Sequence, residues 1–412
     1  MHPSDDIRGS LSTVLSERRL VLAMSGSVAV MRSVELIRLL MRHGAIVYPV
    51  MSRAACRLVG PDLVHWASGQ KPITRLSGEI EHVALAGNVA QPVDLVLVAP
   101  ATANTIGKIA AGIDDTPVTT FVTTAWGQGL PIVLVPAMHQ SMYEHPLVVA
   151  NLKKLEELGI HLVMPTVAEG KAKFPPLEQI FEEVVRLLCQ RSSWKGKRVI
   201  ITVGRTEEPL DPVRLITNPS SGKMGMALAR QVLRRGATVD LVVGQGQEPL
   251  PFGVRQVVRC KTAEQMANAL SELLCEPADV VIAAAAVGDW KPREVALTKV
   301  PTQGNSTWVV ELVPTVKVVD VIKPLAPQSL VVQFRALSQV SVEQAAQDAS
   351  ERIQSGKTNF VAFNDVGQPN QGFGADTNRI LLFGETGLCL DTGLVSKDEA
   401  ASKILDEIEK KL

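Results

Sequence analysis

The chain has 412 residues, 46% of them hydrophobic, more than one core usually organises, so two domains are expected. Lysine plus arginine (42) equals aspartate plus glutamate (42), so no net field draws the molecule to nucleic acid or an anionic membrane, and any anionic ligand must be held by local groups. Five scattered cysteines without metal-ligand spacing argue against a disulfide framework or structural zinc, and a polar start with no apolar run of membrane-spanning length points to the cytoplasm.

From Leu20 onward the sequence alternates short apolar runs, Gly/Ser or Pro loops and stretches of helical period, which is how parallel βαβ units read. The first expected strand is Leu20 to Met24. It runs into the turn Ser25-Gly26-Ser27-Val28 and then a helix with Val30, Val34, Ile37 and Met41 at helical spacing, ending near Gly44. Such a turn aims backbone N–H groups and the positive end of a helix at one spot, which suits a phosphate and equally suits plain packing. Further strands are expected at Ile46 to Val50, Val93 to Ala99, Ile132 to Val135 and His161 to Met164, the last three meeting a proline at or near their ends. Open α/β sheets keep their ligand sites at these carboxyl ends. The dinucleotide fingerprint GxGxxG is absent and no acidic residue ends the second strand, which disfavours an NAD domain.

Ile180 to Leu188 reads as the last helix of this unit, and residues 190–196 are polar enough for a linker. A second α/β unit begins at Lys197, with strands expected at Val199 to Val203, Thr238 to Val243, Val280 to Ala285, Leu330 to Phe334 and Phe360 to Phe363. After its first strand, a proline-punctuated loop from Gly204 delivers Arg214 and Asn218 toward a site. The helix start Ser220-Ser221-Gly222 then offers free N–H groups to a phosphate. The expected fold class is therefore α/β, two Rossmann-like doubly wound domains at residues 1–189 and 197–412. They share a layout but no residue-level repeat.

Two loops sharpen the first half: Pro100-Ala101-Thr102-Ala103-Asn104-Thr105 and Pro136-Ala137-Met138-His139-Gln140-Ser141-Met142-Tyr143. The first closely resembles the Pro-Ala-Ser-Ala-Asn-Thr motif of the homo-oligomeric flavin-containing cysteine decarboxylases, a flavodoxin-like family, and the second resembles that family's Pro-x-Met-Asn-x-x-Met substrate motif. The resemblance covers about residues 17 to 185. It implies an FMN site with the phosphate near Gly26, Ser27 and Ser52 and the ring near Thr102 and Asn104. It also implies oxidation of a cysteine moiety to a thioaldehyde that loses CO2. His82 matches the family's active-site histidine, a residue type able to accept a proton near neutrality. His139 stands where bacterial members carry Asn; it and the opening Met1-His2-Pro3-Ser4 resemble the archaeal-type members. The bacterial Ala-Cys-Gly motif, whose Cys donates a proton, has its nearest match in Ala168-Glu169-Gly170, so Glu169 is the candidate acid.

The second half closely resembles the phosphopantothenate-cysteine ligases from Lys197 to the C-terminus. The likeness rests on Glu208-Pro209-Leu210-Asp211-Pro212-Val213-Arg214 and Asn218-Pro219-Ser220-Ser221-Gly222-Lys223-Met224-Gly225. It implies that Arg214 and Asn218 assist turnover of an acyl-nucleotide. Ala283, Ala284 and Ala285 would let the base approach closely, with Asp289 meeting ribose or metal. Lys299 would contact nucleotide and intermediate; Phe334 would lie near the base, and Pro314 and Lys357 complete the nucleotide set. Only the first lysine of the family's Lys-Ile-Lys-Lys survives, as Lys299, and Arg335-Ala336-Leu337 replaces Ala-Ala-Glu.

Together the two halves resemble the fused enzymes of coenzyme A biosynthesis. The implied reactions are CTP-dependent ligation of cysteine to 4′-phosphopantothenate, with Mg2+ on the triphosphate, then FMN-dependent decarboxylation to 4′-phosphopantetheine. The resemblance also implies homo-oligomers, trimers of the flavin unit with FMN at a subunit boundary, joined by ligase-unit dimers into assemblies as large as a dodecamer. ATP, preferred by eukaryotic relatives, is the alternative nucleotide. A second reading keeps the ligase but makes the flavin unit regulatory; a third, an NAD-dependent oxidoreductase, belongs to a different class.

Overall fold

Five apolar runs of the first half assemble into one parallel sheet in the computed structural model, which describes residues 2–168, 171–303, 307–337, 341–365, 367, 372 and 374–412. The strands are β1 (Arg19–Met24), β2 (Ile46–Met51), β3 (Leu95–Ala101), β4 (Ile132–Pro136) and β5 (His161–Leu162), in the order β2-β1-β3-β4-β5. Every residue of β3 and β4 is buried, as continuous apolar runs must be when helices cover both faces of a parallel sheet. The main helices are α1 (Met31–Arg42), α2 (Ala103–Ala111), α3 (Pro117–Gly127), α4 (Pro146–Glu157) and α5 (Leu177–Leu188). The last begins three residues before the predicted Ile180. It buries Leu177, Ile180, Phe181, Val184 and Val185, one helical stripe facing the core. This strand order is the flavodoxin-like one, and its switch point lies between β1 and β3.

The second half builds a larger sheet from β6 (Arg198–Val203), β7 (Thr238–Val243), β8 (Gln256–Arg259), β9 (Val280–Ala283), β10 (Leu330–Leu337), β11 (Phe360–Asp365), β12 (Ile380–Gly384) and β13 (Gly387–Asp391). Their order is β8-β7-β6-β9-β10-β11-β12-β13; the first six are parallel and the final hairpin is antiparallel. The six parallel strands follow the Rossmann order, with the switch point between β6 and β9. Four helices flank them, α6 (Lys223–Arg234), α7 (Ala263–Leu273), α8 (Val342–Gln354) and α9 (Lys397–Glu409).

Several sequence expectations change, β5 for one ending at Leu162 rather than Met164. β9 stops at Ala283 rather than Ala285, because Ala285 N–H leaves the ladder and donates to Thr202 Oγ1 (3.2 Å). Strands β8, β12 and β13 carried no sequence prediction; β8 and β13 are partly exposed edge strands, and β12 is the short inner strand of the closing hairpin. The segment 190–196, expected to be a linker, is anchored to the second unit. Trp194 is fully buried in the core beneath α6 and α9, and Arg191 pairs with Asp406 (2.7 Å) and Glu409 (2.6 Å). Spatial contacts divide the chain into Met1–Leu188 and Cys189–Leu412. Among the described residues no helix is long and apolar enough to cross a membrane.

Candidate functional site

In the first unit a cavity of about 500 Å3 lies at the β1/β3 switch point. Three helix starts border it, each capped by a hydroxyl that accepts a backbone N–H. Ser27 takes Ala29 N–H (3.4 Å), Ser52 takes Ala55 N–H (3.2 Å), and Thr102 takes Thr105 N–H (3.3 Å). Ser25 ties the two switch-point loops together, donating to the Pro100 carbonyl (2.7 Å) and accepting from Thr102 N–H (2.9 Å). A Cβ on Gly26 would stand 2.4 Å from Ala54 Cβ, so only glycine lets the turn lie this close to the start of helix Arg53–Leu58. The result is a concave surface of backbone N–H groups and short hydroxyls, which fits a phosphate group. Arg53 and Lys108 add positive charge, and Met138 and Met142 complete the lining with softer apolar surface.

Gly26, Ser27, Ser52, Thr102 and Asn104 all line this cavity; His82 and His139 do not. His82 lies on the short helix Glu81–Ala86, edge-on to Phe121 of α3 with ring centroids 6.5 Å apart, and its Nδ1 is buried without a hydrogen-bond partner. His139 is exposed, with Nδ1 2.9 Å from Ser141 Oγ. The strand Met138–His139 pairs with Lys171–Lys173, which pairs in turn with Thr166–Ala168. The His139 loop is thereby tied to these two short strands. Glu169 itself lies outside the described residues.

In the second unit a cavity of about 650 Å3 occupies the β6/β9 switch point, within the size range of small-molecule sites. Asn218, Ala283, Ala285, Asp289, Phe334 and Lys357 line it. Ala284 lines an adjoining smaller cavity. Asn218 donates from Nδ2 to the Ala286 (3.3 Å) and Val287 (3.2 Å) carbonyls, joining its loop to the small-residue loop after β9. Pro314 flanks the site, paired with Trp290 across a two-stranded ribbon, and the next residue, Thr315, donates to the Gly288 carbonyl (2.5 Å).

Arg214 and Lys299 lie outside the cavity lining. Arg214 stacks over Trp308 at 5.3 Å and donates to Asp211 (2.7 Å) and to the Val300 carbonyl (2.9 Å). Asp211 is the hub of this arrangement. Burial opposes its ionisation, but N–H groups of Arg214, Val213 and Val300 and the Arg214 guanidinium outweigh it and bring the carboxyl down to about 2. Through Val300 the same carboxylate fixes the segment bearing Lys299 beside the Arg214 loop. Glu208, buried in the same motif, accepts Ala263 N–H (2.8 Å) and so caps α7.

Beyond Asp289 and Lys357, the charged walls were not foreseen. Lys317 pairs with Asp289, Lys357 with Asp320 (2.9 Å), and Asp348 with both Arg335 (3.2 Å) and Arg352 (3.0 Å). Burial and Arg352 push the Arg335 pKa down, against the pull of Asp348 and Asp289. Arg335 was visible in the sequence only as a departure from the family pattern. Among the described residues, no group of three or more His, Cys, Asp or Glu is placed to hold a metal ion.

Family models match both halves, "Flavoprotein" over residues 8–189 and "DNA/pantothenate metabolism flavoprotein C-terminal domain" over residues 194–412. Full-length relatives named coenzyme A biosynthesis bifunctional protein CoaBC occur in archaea and bacteria. The Thermococcus kodakarensis protein is 41% identical over 413 residues, covering 100% of each chain. That of Methanocaldococcus jannaschii is 29% identical, covering 100% of this chain and 98% of its own. That of Bacillus subtilis is 32% identical, covering 96% of this chain and 97% of its own.

Proposed function

The chain belongs to the family of coenzyme A biosynthesis bifunctional proteins, and from that membership we propose two consecutive reactions on one polypeptide. The second unit ligates cysteine to 4′-phosphopantothenate, and the first decarboxylates the product to 4′-phosphopantetheine. The observation that carries this reading is likeness over the entire length to relatives named as bifunctional, which favours two activities over a regulatory flavin unit. The flavoprotein family match disposes of the NAD reading.

FMN is the proposed flavin. When bound it accepts two electrons from the substrate's cysteine moiety and later returns them. The turn at Gly26 and Ser27, with Ser52, holds the phosphate through N–H groups, while Thr102 and Asn104 border the ring. His82 accepts a proton from the substrate, and His139 hydrogen-bonds its carboxylate. Since neither lines the cavity of a single chain, a second copy completing the site at a subunit boundary agrees with the homo-oligomeric reading.

In the second unit the carboxylate of phosphopantothenate attacks the α-phosphorus of a nucleoside triphosphate, CTP in our reading, and pyrophosphate leaves. The acyl-nucleotide then reacts with cysteine. Ala283, Ala284 and Ala285 leave room for the base beside Phe334, with Asp289, Pro314 and Lys357 around it. Arg214, Asn218 and Lys299 stabilise charge on the intermediate, and Mg2+ is carried by phosphates and water. The expected location is the cytoplasm. The test is direct: the purified protein should be yellow with FMN, release pyrophosphate from CTP given phosphopantothenate and cysteine, and evolve CO2 from phosphopantothenoylcysteine. Pyrophosphate release without CO2 under flavin-loaded conditions would favour the regulatory alternative.

A further inference from the structure

Beside the large cavity of the second unit lies a smaller one, of about 80 Å3, at the N-terminus of α6. The two share Ala285, Ala286, Phe334, Arg335 and Ala336, so whatever occupies one borders the contents of the other. At the α6 start the N–H groups of Gly222 and Lys223 are already capped, donating to Ser220 Oγ and Ser221 Oγ (3.4 Å each). Two further features of its wall have no structural explanation.

The first is Lys397. It is 7% exposed, stands at the first position of α9, and its Nζ donates to the Gly372 carbonyl (3.1 Å), the one acceptor it meets among the described residues. A buried cation at the positive end of a helix is electrostatically unfavourable. Burial and neighbouring Lys223 lower its pKa, opposed by Asp376 and Glu248. The nearby carboxylates are engaged elsewhere: Asp376 with Lys223 (2.5 Å), Asp398 with Arg234 (2.8 Å) and Glu399 with Lys403 (2.9 Å). The second is a pair of amides. Oδ1 of Asn378, a residue 1% exposed, and Oδ1 of Asn364 are both buried without a hydrogen-bond partner among the described residues. A wall that offers a buried ammonium and two buried amide oxygens matches a small ligand bearing an anion next to an N–H donor.

We propose that this cavity holds the amino-acid co-substrate, its α-carboxylate on Lys397 and its α-amine on the Asn364 and Asn378 carbonyl oxygens; the proposal rests on the ligase reading above. The reacting form is the free amine, whose two N–H groups the two amide oxygens can accept. The amine nitrogen then bonds to the acyl carbon, the bond from that carbon to the phosphate oxygen breaks, the nucleoside monophosphate leaves with the electron pair, and the nitrogen loses one proton. The small volume excludes bulky side chains.

The test compares full-length wild type, Lys397→Met and Asn378→Leu in two assays: steady-state ligation, and single-turnover pyrophosphate release without cysteine. For Lys397→Met the cysteine KM should rise about tenfold or more, as expected for loss of a charge-assisted hydrogen bond, while cysteine-free pyrophosphate release stays within about twofold of wild type. Cysteamine, which lacks the carboxylate, should be a poor substrate for wild type and no worse for the variant. Asn378→Leu, similar in size, removes an acceptor from the amine and should raise the cysteine KM even if Lys397→Met fails to fold. An unchanged cysteine KM in the folded variants overturns the proposal. So does a parallel fall in cysteine-free pyrophosphate release, which would assign the cavity to the nucleotide. A wild type releasing no pyrophosphate from any nucleotide would instead overturn the ligase reading itself.

Discussion

At position 26 a methyl group decides between an open cradle and a blocked one. Its Cβ would overlap Ala54 Cβ, and neither the β1 turn nor the capped helix Arg53–Leu58 has slack to yield. Gly26→Ala should therefore cost the protein its flavin, seen as loss of yellow absorbance after FMN loading, while its far-ultraviolet circular dichroism stays that of wild type. Asp211 makes a different prediction. The folded protein holds this carboxyl near 2 against an ordinary 3.8, so the stability it contributes is complete above 3.8 and vanishes as pH falls toward 2. Asp211→Asn should flatten the acid limb of the thermal midpoint in that window, measured on residues 189–412. It should also loosen the Arg214 loop from the Lys299 segment, because one carboxylate accepts N–H groups from both.

At the level of elements, β7 carries a charge in the middle of an otherwise apolar strand. Asp240 is fully buried and bonded to Arg198 of β6 (2.7 Å) and to Arg255, just before β8 (2.6 Å). It thus fastens three neighbouring strands at the amino edge, opposite the ligand loops. Removing one partner of such a cluster strands the remaining charges, and Asp240→Ala should destabilise the second unit by about 3–5 kcal/mol in urea unfolding. Strand and helix positions were largely legible because β1, β3, β4 and β6 are nearly continuous apolar runs that meet Ser25, Pro100, Pro136 and Gly204 at or near their ends. The edge strands were not, since Gln256 to Arg259 and Gly387 to Asp391 are only half covered and carry no continuous pattern.

For the whole molecule, each unit owns a complete sheet and core, which predicts that residues 1–188 bind FMN and residues 189–412 fold when produced separately. The cut matters more than its seven-residue uncertainty suggests. Beginning the second fragment at Lys197 would remove Trp194 from beneath α6 and α9, a loss of about 3–5 kcal/mol by analogy with deleting a buried aromatic. A thermal midpoint for 197–412 equal to that of 189–412 would contradict this account.

The sequence by itself determined the class of fold, the two units and the loops that line the cavities, because strand periodicity, helix stops and a run of motif residues are local signals. Gly26, Thr102, Asn104, Asn218 and Phe334 were reached that way. The tertiary structure alone decided which distant residues meet those loops. Lys317, Arg335, Arg352 and Lys397 come from separate elements, and nothing in the spacing of a surface-type residue tells whether its chain folds back into a cavity. It also decided that Glu208 and Asp211 work as a helix cap and a loop clasp, since a carboxylate's role follows from the N–H groups that surround it.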